Sequence, residues 1–155
     1  MRGKRAKKRP LNPDPIYKSK VINRMINVVI GRGKKSIARK IVYGALKKLN
    51  ADEKEALRIF EQSVKNVMPQ QEVRSRRVGG ATYQVPIPLK HDRSEALAVR
   101  WIVGAARSKK GKPMMEKLFI VINDSYQNVG DAIKKRDDVH RMAEANRAFA
   151  HFARF

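Results

Sequence analysis

The chain has 155 residues, of which 36 are lysine or arginine and 14 are aspartate or glutamate, so its formal net charge is +22. Such an excess of positive charge favours a polyanionic partner, and nucleic acid is the most common one. The absence of cysteine excludes a disulfide framework and thiolate chemistry. The longest apolar run, about Leu118 to Ile122, is far shorter than the roughly 20 residues of a membrane span, so we expect no segment to cross a membrane and, in the favoured interpretation, no membrane partner.

The N-terminal end is the most basic segment, with six lysines and arginines among its first nine residues. Met1 and Ala6 are its only apolar residues, too few to form a core, and dense like charge of this kind is typical of interaction tails, so we expect disorder in the free protein. The length and the 42% apolar content suit one domain. We therefore expect a basic N-terminal extension over residues 1–15 and a single helical domain over residues 16–155.

Apolar residues at helical spacing predict three helices before residue 70, joined by short turns. The first begins at Lys20 after Ser19 as N-cap and ends near Gly31. The second runs from about Lys34 to Leu49, and its core stripe is predicted to be Ile37, Ile41, Ala45, Leu46 and Leu49. The third has Asp52 as its cap and ends before Pro69.

The next segment, residues 71–88, predicts a β-hairpin arm. Three arginines lie between Glu72 and Val78, Gly79-Gly80 is a two-residue turn signal, and the residues that follow suit a pleated strand. Two prolines in the returning strand are tolerated only at an edge, so we expect the hairpin to lie outside any larger sheet.

Three further helices are predicted after the arm. Asp92 is the expected cap of the first, which carries Trp101 as a core or core-edge anchor. Pro113 suits the first position of the second helix. The last helix is expected from Asp131 to about His151, with Met142 among its core residues.

Two patterns suggest enzymatic or metal chemistry, and neither is specific. The Gly31–Ser36 loop lacks both the earlier glycine and the hydroxyl residue after Lys34 that a P-loop requires, so we interpret it as a basic patch. His140 lies between Asp137 and Glu144 at helical spacing, but a helix start and pairing with arginines explain these acids better than a metal site does. The sequence therefore predicts no catalytic residue, no metal site and no cofactor.

Nucleic-acid binding is favoured because basic clusters occur in several separate segments. They lie in the tail, in the Lys34-Lys35 loop, on the arm, in the Lys109–Lys112 loop and at Arg141 and Arg147. Separate patches suit a folded RNA better than the single groove that a recognition helix reads in DNA. Tyr83, Gln84 and the amides of the Gly79-Gly80 turn add possible stacking and hydrogen bonds. A basic DNA-binding or DNA-compacting protein is the alternative, and binding to an anionic membrane is a third.

Several stretches are distinctive in their order along the chain. They are DPIY (Asp14–Tyr17), GKK (Gly33–Lys35) followed six residues later by Ile41-Val42, EVRSRRVGGATYQVP (Glu72–Pro86), SEALAVRWIV (Ser94–Val103) and RMAEANRAFAH (Arg141–His151). Together they resemble the bacterial-type family of small-subunit ribosomal protein seven. The resemblance covers nearly the whole chain and is least distinctive between Lys109 and Asp131.

The resemblance implies a mainly α fold, with one helical domain of about six helices and a protruding two-stranded β-hairpin arm. It implies a structural constituent of the small ribosomal subunit that binds the 3′ major domain of its rRNA, nucleates assembly of the head and lies at the exit tRNA site near the messenger path. The implied partners are small-subunit rRNA, exit-site tRNA, mRNA and neighbouring proteins of the head and platform. The free protein is expected to be a monomer, in the cytoplasm and in the ribosome, without catalytic activity. Some members of the family also repress translation of their own operon.

The residues and the resemblance together predict a set of RNA-binding positions. The set consists of Arg2, Lys4, Arg5, Lys7, Lys8, Arg9, Lys34, Lys35, Arg74, Arg76, Arg77, Gly79, Gly80, Tyr83, Lys109, Lys110, Lys112, Arg141, Asn146 and Arg147. By the resemblance, the stretch from Gly79 to Tyr83 is directed toward the exit-site tRNA.

Overall fold

The computed structural model of the protein describes residues 3, 6 and 9–154, with the backbone alone at 153 and 154. This part contains six α-helices, one 3-10 helix (η1) and one two-stranded antiparallel sheet. In chain order the elements are α1 (Lys20–Val29), α2 (Lys35–Leu49), α3 (Glu53–Val67), β1 (Gln71–Val78), β2 (Ala81–Pro88), α4 (His91–Ser108), α5 (Met114–Tyr126), α6 (Asp131–Ala145) and η1 (Arg147–Arg154). The predicted mainly α fold with a β-hairpin arm is confirmed. None of these helices is both long and apolar enough to cross a membrane.

One apolar core holds the helices together. Its largest fully buried side chains are Phe60, Ile22, Met25, Ile26, Leu46, Ile102, Leu118 and Ile122, which come from α1 to α5. The beginning of α6 adds Ala132 and Ile133. Trp101 packs against this core while remaining partly exposed, which confirms the prediction of a core-edge anchor.

The helix starts agree only partly with the predicted caps. The Asp52 carboxylate accepts a hydrogen bond from the Lys54 amide at 3.2 Å, as the capping prediction requires. Ser19 occupies the N-cap position of α1, but its hydroxyl donates to Glu61 at 3.2 Å instead of capping the helix. The prediction of Asp92 as a cap is wrong because α4 begins at His91, with Lys90 at the N-cap position, and this places Asp92 in the first turn, where it still complements the helix dipole.

Two residues predicted to be buried are exposed. Ile37 is 50% exposed, because the buried stripe of α2 is formed by Ala38, Val42, Ala45 and Leu46. Met142 is 48% exposed, because it lines an open groove between the arm, α4 and α6. In both helices the apolar pattern is wider than the face that packs.

The hairpin agrees with its prediction to the residue. Its strands pair from Gln71 opposite Pro88 to Val78 opposite Ala81, and Gly79 and Gly80 have φ angles of 57° and 91°. Two successive positive φ angles are what a type I′ turn requires, and this turn matches the twist of the strands. Counted outward from this turn, both prolines of β2 fall at positions where the ladder needs no N–H donor.

The last predicted helix is interrupted. The α-helix ends at Ala145, and the Asn146 side chain donates to the carbonyl of Met142 at 2.8 Å. The chain continues as η1, beginning with a bond from the Phe149 amide to the Asn146 carbonyl at 3.0 Å. The expected single helix to His151 is therefore wrong, because a side chain that bonds its own backbone competes with helix continuation.

The DPIY stretch, Asp14–Tyr17, fixes the segment that leads into α1. Asp14 is 2% exposed, and its carboxylate accepts hydrogen bonds from the amides of Ile16 and Tyr17 and from the Tyr43 hydroxyl, the last at 2.6 Å. Burial and this hydrogen bond raise the pKa of Tyr43 to about 12. Asp14 thus ties the segment before α1 to α2.

Candidate nucleic-acid interface

Two basic loops leave the helical domain from neighbouring points. Arg107, near the end of α4, donates to the Val28 and Val29 carbonyls at 3.0 and 3.4 Å, which ties the end of α4 to the end of α1. Each of these helices leads directly into a basic loop, residues 30–34 after α1 and residues 109–113 after α4. The sequence predicted both loops but not that one arginine holds their starting points together.

The loop before α2 presents cations where a helix alone would disfavour them. Lys34 and Lys35 are exposed, α2 has no acidic residue in its first turn, and no side chain caps its N-terminus. A helix N-terminus carries partial positive charge, so lysines there add to the repulsion. A bound phosphate would offset it, since the amides at this end favour anions.

In the loop before α5, two of the three lysines are exposed and the third is paired. Lys110 and Lys112 are exposed, whereas Lys109 is half-buried, with its ammonium 3.9 Å from an Asp124 carboxylate oxygen. Gly111 has a φ of 80°, which gives the loop its tight bend. Lys110 and Lys112 are therefore the more available cations of the three predicted here.

The three arginines of the arm have three different surroundings. Arg74 pairs with Glu72, and Arg76 is half-buried and donates to the Phe152 carbonyl at 3.4 Å. Arg77 is exposed and, within the described residues, has no hydrogen bond or ion pair. Because side chains alternate along a strand, Arg77 points away from the face that carries Arg76.

Glu72 organises charge at the base of the arm. Its side chain is 12% exposed and lies between Arg74 and Arg93, with the latter guanidinium at 3.2 Å. Burial alone would raise the pKa of this carboxyl, but the hydrogen bonds from the two arginines outweigh it, and the pKa lies below the ordinary 4.5. Glu72 therefore stays ionised and holds two guanidinium groups together where the arm meets α4.

Arg93 belongs to this basic cluster and was missed by sequence reasoning. Its contact partner is 21 residues away, so no local spacing could have revealed it. Its only sequence signal is its position at the opening of α4 directly after the arm.

Tyr83 lies opposite Arg76 in the hairpin register. Its ring is half-buried, with centroids 5.2 Å from Phe149 and 5.1 Å from Phe152. The neighbouring turn glycines are exposed, and a β-carbon added at either would meet nothing within 4 Å. The tip of the arm is open, whereas Tyr83 is covered by the C-terminal segment.

Two exposed arginines lie around the junction of α6 and η1, Arg141 in α6 and Arg147 at the start of η1, and each pairs with an acidic residue of α6. Arg141 lies 3.4 Å from Asp138, and Arg147 lies 3.4 Å from Glu144, with both arginines about four-fifths exposed. Exposed pairs at this spacing hold their partners weakly, so both guanidinium groups can exchange to a phosphate. Asn146 between them uses its amide to bond the end of α6.

The tail contributes one described position. Arg9 is exposed, whereas Arg2, Lys4, Arg5, Lys7 and Lys8, together with the expected disorder around them, lie outside the described residues.

His140, considered above as a metal ligand, instead makes a backbone contact. Its Nε2 accepts the Gln70 amide at 3.1 Å, which joins α6 to the start of the arm. Across residues 3, 6 and 9–154, no group of three or more histidine, aspartate or glutamate side chains is arranged to hold a metal ion.

The cations lie on an arm, in two loops and around the end of α6, and all of these are held by one helical scaffold. This arrangement is that of a basic structural protein that binds nucleic acid. Comparison with known proteins gives the family. The model of the family described as ribosomal protein S7p/S5e matches residues 1–147, and the chain belongs to this family.

Curated relatives agree along almost the full length. The small ribosomal subunit protein uS7 of Fervidobacterium nodosum is 56% identical over 153 residues, which cover 98% of this chain and 99% of the relative. The protein of the same name from Pelagibacter ubique is 49% identical over 97% of both chains. That from Afipia carboxidovorans is 53% identical over 95% of both.

The family membership establishes a coarse function. The protein is a structural, non-enzymatic constituent of the small ribosomal subunit, a ribonucleoprotein component that takes part in translation. Its place is in the ribosome, in the cytoplasm. The predicted family and the predicted absence of enzymatic activity are confirmed by this match.

Proposed function

We propose that the protein binds the 3′ major domain of small-subunit rRNA directly and nucleates assembly of the subunit head. In the assembled subunit, the arm lies near the exit tRNA and the messenger path. The support comes from the family membership together with the distribution of available cations in the described chain.

The single observation that carries the proposal is that the exposed cations project from separate elements. They are Arg77 on the arm, Lys34 and Lys35 at the start of α2, Lys110 and Lys112 before α5, Arg141 in α6 and Arg147 at the start of η1. A folded RNA offers phosphates in several directions, and RNA recognition relies on shape and backbone contacts. A continuous stripe of cations along one face would suit a regular DNA duplex better.

Binding assays with competing nucleic acids test this proposal. The full chain is titrated with a fragment of the 3′ major domain, with a fragment of another rRNA domain and with duplex DNA of arbitrary sequence, at several salt concentrations. We expect the 3′ major domain to bind tightest at physiological salt, and all affinities to fall with salt. Equal competition by duplex DNA would overturn the rRNA proposal and favour a DNA-compacting protein.

The position of the arm requires a separate test, because rRNA binding and tRNA contact are different claims. Arg77→Gln removes one charge without shortening the arm, and it is the matched control for a variant that removes residues 77, 78, 81 and 82 and keeps Gly79-Gly80 as the turn between Arg76 and Tyr83. This shortened variant loses two strand pairs at the tip and leaves the helical core unchanged. Incorporated into small subunits, it should assemble normally but show reduced retention of exit-site tRNA. Unchanged retention in assembled subunits would contradict the placement of the arm at this site.

Protein partners and the oligomeric state complete the proposal. Neighbouring proteins of the head and platform are expected to join after this protein, and the free chain is expected to be a monomer, since +22 disfavours self-association. Reconstitution with and without this protein tests the order of addition. Sedimentation of the free chain tests the monomer.

A further inference from the structure

Two phenylalanines of η1 pack against Tyr83 of the arm. The Tyr83 ring lies 5.2 Å from Phe149 and 5.1 Å from Phe152, and the two phenylalanine rings are 6.5 Å apart and nearly parallel, at 13°. Centroid separations of 4.5 to 7 Å are about the range in which aromatic pairs attract beyond simple burial. We call the cluster of Tyr83, Phe149 and Phe152 the clasp.

The interruption of the last helix makes the clasp possible. In a 3-10 helix the side chains at i and i+3 eclipse each other, so Phe149 and Phe152 project from the same side of η1. In an α-helix continued from Ala145, residues three apart would be offset by about 60° around the axis. The Asn146 bond to Met142 ends the α-helix at the residue where this change is needed.

A polar contact adds a second attachment on the same face of the arm. Arg76 lies directly across from Tyr83 in the register and donates to the carbonyl of Phe152. Val85, two residues after Tyr83 and on the same face, is fully buried. At the base, the Gln70 amide bonds His140 of α6. The arm is therefore held at its base and again near its middle.

We propose that the clasp sets the angle of the arm, and that Tyr83 is a positioning residue for RNA binding through the arm. A two-stranded hairpin by itself is only marginally stable in water, so an arm without the clasp samples a range of orientations. A bound RNA would then have to order the arm, and that ordering costs affinity.

The chain contains its own reporter of the arm's position. Trp101 is the single tryptophan, and it lines a groove of about 480 Å³ that is also lined by Val73 and Gln84 of the arm. When the arm moves away, the groove widens and the indole becomes more accessible to water. Quenching of its fluorescence by acrylamide measures this change without any RNA.

The test compares Tyr83→Ala and Phe152→Ala with Tyr83→Phe, which keeps the ring and is the matched control. Both alanine variants should increase quenching of Trp101 and accelerate tryptic cleavage at Arg74 and Arg77, while the melting temperature of the helical core changes little. The control should behave as wild type in both measurements. Unchanged quenching and cleavage in the alanine variants would overturn the clasp.

RNA affinity supplies the functional readout, and this step alone rests on the proposed function. No charge is removed, yet each alanine variant should bind the rRNA fragment about tenfold more weakly, since ordering even one or two backbone residues costs that much. If Tyr83→Ala weakened RNA binding while Phe152→Ala did not, Tyr83 would contact RNA directly and the positioning role would be wrong. If the arm loosened as expected but wild type bound no rRNA, the clasp would stand and the proposed function would fail.

Discussion

Replacing Arg77 by glutamine removes one positive charge from the arm without removing a contact in the described structure. Arg77 is exposed and lies on the face opposite the clasp. Its loss should leave the free energy of unfolding within about 0.5 kcal/mol of wild type, as is usual for exposed positions. The whole effect of the substitution should therefore appear in RNA binding.

The size of that effect follows from counterion release. Each neutralised phosphate contributes about 0.7 to 0.9 to the slope of log K against log salt, so the slope should decrease in magnitude by this amount. Between about 1 M salt, where the contribution vanishes, and about 0.15 M, it amounts to a four- to sixfold loss of affinity. Fluorescence anisotropy with a labelled 3′ major domain fragment at several salt concentrations measures both quantities.

Arg58→Gln is the matched control. Arg58 is an arginine on α3, 80% exposed and only 3.6 Å from Glu55, and it belongs to none of the predicted RNA-binding segments. The Arg58→Gln variant should leave the slope of log K against log salt unchanged. Equal losses from both variants would show that binding follows net charge alone and would refute a specific role for Arg77. A fall of several degrees in melting temperature for Arg77→Gln would show that this side chain is structural.

Three further predictions concern stability. Phe60→Ala should destabilise the protein by about 3 to 5 kcal/mol in urea unfolding, because the ring is completely buried. Leu97→Ala should destabilise it less, because Leu97 is only half-buried, and equal losses of stability would contradict this ranking. Gly104→Ala should stabilise by about 0.5 to 1 kcal/mol in thermal unfolding, because a side chain there meets nothing within 4 Å, and a loss of stability would count against it. Glu72→Gln should cost stability at neutral pH, and because the folded pKa of Glu72 is lowered, that cost should be complete above pH 4.5 and vanish as pH falls through the lower folded value. A difference from wild type that is independent of pH would contradict the ion pairs assigned to Glu72.

The arm could be predicted to the residue because its determinants are local. A Gly-Gly pair supplies the two positive φ angles, and the flanking residues fix the register by counting outward from the turn. The third helix was predicted for the same reason, since Asp52 lies next to the amide that it caps. Signals of this kind need no tertiary information.

The errors occur where a distant partner decides the outcome. The α6 pattern continues beyond Ala145, and the switch to η1 brings Phe149 and Phe152 against Tyr83, more than sixty residues earlier. Ile37 fits the spacing of a buried stripe, but the packing of α2 buries the neighbouring Ala38 instead. Periodicity gives the existence of an apolar face, while the neighbouring elements decide which edge of that face is covered.

The same distinction applies to charge. In the sequence, Arg74, Arg76 and Arg77 form one dense cluster, and counting them predicts three equivalent phosphate contacts. In the folded chain Arg74 shares Glu72 with Arg93, and Arg76 is bonded to the C-terminal segment. Each must give up or share an existing partner to meet a phosphate, and only Arg77 begins without one among the described residues. The arm therefore combines two arginines that already have partners within the protein with one that is free to bind, so the number of charges on an RNA-binding element overestimates the number of its contacts.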